Sequence, residues 1–274
     1  MKMNFVVTMG LVAAVTAASA TAFAYTDAKT GISGSRHDIN AFAVQGGVAG
    51  VAKDSQERVC AFCHTPHHAY TTDMAGAESA DYLPLWSHEL TAKTYTGYAS
   101  DTLQAIVGDP LIGPSRLCMS CHDGVIAVDT HYQNLGVNKT GAQLTGDDFS
   151  LLPAASGAVG AGTSLAGDHP IGFDYVAAQI ADQTAGGGLA AGIKVAETSF
   201  FQADGGPTTI HIVDTLFGVA GGAKTIMTCA TCHEVHNKDN VVQKKADGTP
   251  LANINYFLYG SQAGSQICLS CHNK

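Results

Sequence analysis

Four five-residue stretches carry one pattern: Cys60-Ala61-Phe62-Cys63-His64, Cys118-Met119-Ser120-Cys121-His122, Cys229-Ala230-Thr231-Cys232-His233 and Cys268-Leu269-Ser270-Cys271-His272. Together they use all 8 cysteines of the 274-residue chain. Two thiols at this separation can form thioethers to the two vinyl groups of one porphyrin, and the histidine that follows can bind the iron on its proximal side. The pattern predicts four covalently attached haem c groups. Cys60, Cys63, Cys118, Cys121, Cys229, Cys232, Cys268 and Cys271 would hold the porphyrins, and His64, His122, His233 and His272 the irons. Zinc, a thioredoxin-like redox pair and a framework of four disulfides are rival uses of such cysteines. Zinc needs no histidine directly after the second cysteine, and a disulfide framework has no reason to repeat one spacing four times.

What fills the sixth position of each iron separates an electron carrier from an enzyme or a gas binder. Eight histidines lie outside the motifs: His37, His67, His68, His88, His131, His169, His211 and His236. Methionine is the competing ligand, but beyond residue 24 only Met74, Met119 and Met227 remain, and the last two lie in or beside a motif. Bis-histidine ligation is the economical expectation, with His37, His67, His169 and His236 as the distal ligands. His67 and His236 each follow a motif histidine by three residues, too close to loop around the same porphyrin. They are expected to reach the second motif of their own half, leaving His37 and His169 for the first. His88, beside Trp86, reads as a packing residue, and His211 has no counterpart in the other half.

The elements that must position these groups form a partial repeat of uneven period. Both halves run CxxCHxxH, YxxYxS, then Ser-x-Leu/Ile-Cys-x-Ser-Cys-His, with the tyrosines at Tyr95 and Tyr98 and at Tyr256 and Tyr259. Each half also has an upstream histidine, in His37-Asp38-Ile39 and His169-Pro170-Ile171. The expected division is a dihaem module at residues 25–124, a Gly/Ala-rich linker or insertion at 125–168, and a second dihaem module at 169–274. Within the latter, residues 199–213 predict a β-hairpin turning at Asp204-Gly205-Gly206-Pro207, exposed and without redox chemistry. Short helices are expected at the motifs, because one helical turn presents two thiols and an imidazole together.

The chain opens with Lys2, an apolar run over residues 5–20 and the small-x-small triplet Ala22-Phe23-Ala24, the signature of a secretory leader over residues 1–24. No later stretch reaches the roughly 20 apolar residues that span a bilayer. Without Lys2, 13 basic side chains face 23 acidic ones, a formal charge of −10. That excludes nucleic acid and favours neutral or basic redox partners. With 31 glycines and only 14% charged residues, the composition suits a loop-rich fold whose core is largely supplied by porphyrin.

The set formed by Cys60-x-x-Cys63-His64-Thr65-Pro66-His67, Pro84-Leu85-Trp86, Leu117-Cys118-Met119-Ser120-Cys121-His122-Asp123-Gly124, Asp168-His169-Pro170-Ile171 and Ile267-Cys268-Leu269-Ser270-Cys271-His272 resembles the doubled-CxxCH multihaem cytochromes of metal-respiring bacteria. Within them it looks most like the OmcE-type tetrahaem cytochromes, which polymerise into extracellular nanowires. The resemblance implies a fold of mostly coil with short α-helices at the haem motifs, a small β-hairpin and a haem-dominated core. It also implies stacked bis-histidine haems and electron transfer rather than enzyme catalysis. The implied partners are copies of the same chain in a filament, redox-partner cytochromes and extracellular electron acceptors, at the cell surface or beyond it. One distal histidine can come from an adjoining subunit in that family, and His37 is the candidate. A soluble periplasmic shuttle and an oxyanion reductase with one open haem are the alternatives.

Overall fold

The computed structural model describes residues 31–42, 54, 56–67, 69–70, 83–101, 103, 105–126, 128–129, 158–160, 164–186, 192–204, 206–237 and 256–273. The leader at 1–24, His68, His131 and most of segment 125–168 lie outside them. Over the described residues the chain is mostly coil, with short helices and two antiparallel two-stranded sheets. In chain order these are α1 (Ile39–Phe42), α2 (Pro114–His122), β1 (Phe173–Asp174), α3 (Tyr175–Gly186), β2 (Phe200–Ala203), β3 (Gly206–His211), α4 (Ile212–Thr215), β4 (Ile226–Met227), α5 (Cys229–Cys232) and α6 (Gln266–Cys271). No helix among them is long and apolar enough to cross a membrane.

Three of the four motifs form helix, as expected: the second within α2, the third as α5 and the fourth in α6. The first differs. It is a single turn, in which the His64 N–H reaches the Cys60 carbonyl at 2.8 Å. α2 starts sharply because Pro114 supplies a fixed φ at its first position, following Gly113 at φ 57. The 12-residue α3 was not expected from the pattern.

Apolar packing is split into one main core and three small clusters. The main core joins Phe173, Tyr175, Ala178, Ala196, Phe201, Ile212, Leu216, Met227 and Tyr259. The others gather Ile39, Phe62 and Val128; Tyr95, Leu111, Met119 and Leu165; and Trp86, Leu90 and Leu117. Cys121, Cys63 and Cys271 pack on the edges of these clusters, so the motifs sit where apolar packing stops.

The expected hairpin forms: β2 and β3 are antiparallel and Ala203 pairs with Gly206, leaving Asp204-Gly205 as the connection. It is not merely an exposed patch, because Phe201 is fully buried in the main core. The hairpin also braces α6, since the Gln202 N–H donates to Ser270 Oγ at 2.8 Å and Ser261 N–H to the Gln202 carbonyl at 2.9 Å.

Parts of the chain far apart in sequence interlock. Gly31 forms a parallel bridge with Asn237, Thr96 one with Ser164, and the Cys229 N–H donates to Ser115 Oγ at 3.1 Å. At the tightest crossing, Gly172 accepts from Gly108 N–H and donates to the Met227 carbonyl, each at 2.8 Å. It holds φ at +76, and a Cβ there would lie 2.4 Å from the Asp109 carbonyl oxygen. Only glycine fits. Gly172→Ala is expected to cost about 2–4 kcal/mol, read from urea unfolding of the intact protein.

Candidate functional site

The motifs share a backbone clamp. Bonds from His64, His233 and His272 N–H to the carbonyls of Cys60, Cys229 and Cys268, at 2.8, 3.2 and 3.0 Å, fold each of these motifs into one turn. The turn then docks on a remote extended segment through an antiparallel bridge: His64 on Trp86, His233 on Leu258, His272 on Ile193. The carbonyl of the second cysteine accepts each time, from Ser87, Tyr259 and Lys194 N–H at 2.9, 3.0 and 2.8 Å. In the first and third motifs the match extends further, with Thr65 N–H on the Leu85 carbonyl at 2.8 Å and Glu234 N–H on the Phe257 carbonyl at 2.7 Å. Leu85 and Phe257 both lie in the left-handed region, at φ 54 and 57.

This pairing changes the alignment of the two halves. Tyr256-Phe257-Leu258-Tyr259 occupies the place of Pro84-Leu85-Trp86-Ser87, rather than that of Tyr95 to Tyr98. Tyr95 packs instead with Leu111, Met119 and Leu165.

The clamp also orients the imidazoles. His64 Nδ1 lies 2.7 Å from the Pro84 carbonyl oxygen and His233 Nδ1 2.6 Å from that of Tyr256. His169 Nδ1 lies 3.0 Å from the Pro170 carbonyl oxygen, and His236 Nδ1 3.1 Å from Glu234 Oε1. Carbonyls and carboxylates only accept, so each Nδ1 carries the proton and each Nε2 keeps its lone pair for a metal. His88 is the reverse. It is fully buried, and its Nε2 donates to the Ser120 carbonyl at 3.1 Å and lies 3.2 Å from Cys121 Sγ, against the second motif rather than beside Trp86.

Three of the four motif histidines face a non-motif histidine. His37 and His122 have ring centroids 6.0 Å apart, His64 and His236 6.1 Å, and His169 and His272 6.4 Å. One metal ion between two opposed imidazoles, about 2 Å from each nitrogen, holds the centroids roughly 6 Å apart. The pairing by proximity differs from the within-half expectation: His236 lies beside the first motif's histidine, while His37 and His169 lie beside those of the second motif of their own halves. His37 is wedged by Phe257, whose ring stacks on it at 4.7 Å and 7°. Burial and the neighbouring His122, His233 and His236 push its pKa down to about 3, so its ring stays neutral.

His67 is exposed, with Thr65 Oγ1 donating to its carbonyl at 2.5 Å. His211 rests on Phe200, centroids 4.0 Å apart, as part of the hairpin.

Thiols of successive motifs approach one another. Cys63 acts electrostatically on Cys118 and Cys121, Cys118 hydrogen-bonds with Cys229, and Cys268 and Cys271 act on Cys232. Burial pushes Cys63 up to about 11, Cys232 up to about 12 and Cys271 up to about 11. The Cys229 hydrogen bond raises Cys118 well above its ordinary value, and burial does the same to Cys121. The motifs thus form a row in chain order. Beside the fourth lies an open cavity of about 590 Å³, lined by Leu269, His272, Lys194, Gln202 and Gln266. Among the described residues no three or more His, Cys, Asp or Glu side chains converge as on a bare metal ion.

No family model matches the chain, and no curated protein matches it in sequence.

The paired left-handed residues yield a differential prediction. Leu85 is 56% exposed, so Leu85→Gly relieves strain with little lost packing and is expected to stabilise by about 1 kcal/mol. Phe257 is buried against His37, so Phe257→Gly is expected to destabilise by about 3 kcal/mol despite the same relief. Thermal unfolding of both variants reads the opposite signs.

Proposed function

We propose that the chain is an exported tetrahaem c-type cytochrome, an electron-transfer protein in which four bis-histidine irons form one row. The observation that carries this reading is the three imidazole pairs with centroids 6.0–6.4 Å apart, each setting a CxxCH histidine beside a histidine outside the motifs. A zinc centre asks for close convergence of four ligands, whereas a porphyrin iron asks for two opposed ones. Haem would supply a reversible one-electron iron couple here.

The chain's residues fit that group in other respects. The cavity at the fourth motif lies within the size range of cofactor sites, with Lys194 at its wall. Trp86 Nε1 beside His64, and Gln266 Oε1 in that wall, are buried without hydrogen-bond partners among the described residues. A propionate would give the indole N–H an acceptor. The split apolar core leaves room for a haem-dominated one.

In this reading the eight cysteines fix the spacing of the porphyrins, and His64, His122, His233 and His272 hold the irons from one side. His37, His236 and His169 close the second, first and fourth sites from the other. His67 then completes the third, opposite His233, as the reciprocal of His236 opposite His64. Adjacent attachment thiols support short hops along the row, and the negative charge favours basic or neutral redox partners. The filament and the extracellular acceptors rest on the motif set of the OmcE-type cytochromes.

Intact mass of the exported protein is expected to exceed that of the chain by four haems, with no free thiol to alkylate. All four irons are expected to be low-spin, and His236→Ala to turn one of them high-spin, with the spectrum of the first motif's haem altered. Fewer than four haems, or a native high-spin iron, would overturn the reading. Electron microscopy of material sheared from cells separates long uniform filaments from particles of monomer size.

A further inference from the structure

The two CxxCHxxH loops match in backbone and differ in one side chain that bears on the metal. In the first half Thr65 follows the motif histidine; in the second, Glu234 does. Both brace the loop in the same way. His67 N–H donates to Thr65 Oγ1 at 3.3 Å, and His236 N–H to Glu234 Oε1 at 3.0 Å. Glu234 does more. The same Oε1 accepts from His236 Nδ1 at 3.1 Å, and Tyr259 OH donates to Oε2 at 3.2 Å. The carboxylate is 7% exposed, and its backbone N–H is tied to the Phe257 carbonyl at 2.7 Å. No structural need for the loop explains a buried carboxylate, since a threonine braces the matching loop.

We propose that Glu234 is a positioning residue that lowers the reduction potential of the iron held between His64 and His236, giving the row one low-potential centre at the first motif. The inference rests on the proposed function. A carboxylate accepting the Nδ1 proton shifts negative charge onto the ring, makes Nε2 a stronger donor and favours ferric over ferrous iron. One electron enters from a neighbouring centre and leaves to the next, with no bond made or broken and no proton required. Thr65 offers His67 no such charge. The two sites related by the repeat therefore differ in potential because of one residue, and electrons rest preferentially elsewhere in the row.

The test is spectroelectrochemical titration of the haem-loaded protein near neutral pH, with haem content taken from intact mass. In Glu234→Gln one of the four potentials is expected to rise by about a tenfold change in its reduction equilibrium, about 59 mV for one electron. The other three should hold. Tyr259→Phe removes a donor from the same carboxylate, strengthens its hold on His236, and is expected to move that same potential down. Four unmoved potentials in Glu234→Gln would overturn the proposal, as would both variants shifting one centre in the same direction, which is the mark of a loosened loop. A wild-type protein without four haems would remove the proposed function and this inference together; four haems with unmoved potentials would remove only the inference.

Discussion

Two of the imidazoles that the motifs present, those of His64 and His233, are held from behind by the rest of the chain. The interaction that does this is a short hydrogen bond from Nδ1 to an oxygen, and for His64 and His233 that oxygen is a carbonyl on a distant extended segment. The CxxCH turn does not supply it: the first cysteine's carbonyl closes the turn and the second's accepts from the docking segment. The remote segments Pro84-Leu85-Trp86 and Tyr256-Phe257-Leu258 are therefore as much part of the site as the cysteines. Their left-handed middle residues show the cost: a backbone bent against the preference of Leu85 and Phe257 so that one carbonyl meets an imidazole and the next an amide.

The packing around these clamps is thin. Helices as short as α5 cannot stand on propensity, and two-stranded sheets are marginal without cover. What holds them is a network of single backbone bridges between distant segments, supported by one modest core and three small clusters.

Local structure was legible in the sequence. The motif spacing, the helices at the second to fourth motifs, and the hairpin with its Asp204-Gly205 connection each follow from a few adjacent residues. The clamps were not legible, because 84–86, 256–258 and 192–194 carry no alternation and earn their extended shape from tertiary pairing. Matching tyrosines across the halves misled for the same reason: side-chain likeness picked Tyr95, while backbone pairing picks Pro84 to Ser87 as the counterpart of Tyr256 to Tyr259. The Ala177-Ala178 pair and the absence of proline and of interior glycine in α3 could have flagged that helix. Position in the repeat singled out His37, His169 and His236, which the fold sets beside motif histidines, and His67, which it leaves exposed. Sequence nearness favours pairing within a half, whereas the fold places His236 beside His64.

The crossing of His236, the bridge from Gly31 to Asn237 and the wedge of Phe257 on His37 have a bearing on how the chain is made. Residues 31–64 leave the ribosome well before their partners at 236–257. The early half cannot reach its final arrangement until residues 236–259 have followed it. Long-range closures of this kind slow folding and expose unfinished surface meanwhile. In the tetrahaem reading proposed above, attachment at each CxxCH is a purely local event that can proceed motif by motif, and residues 236–259 close over what was made before them.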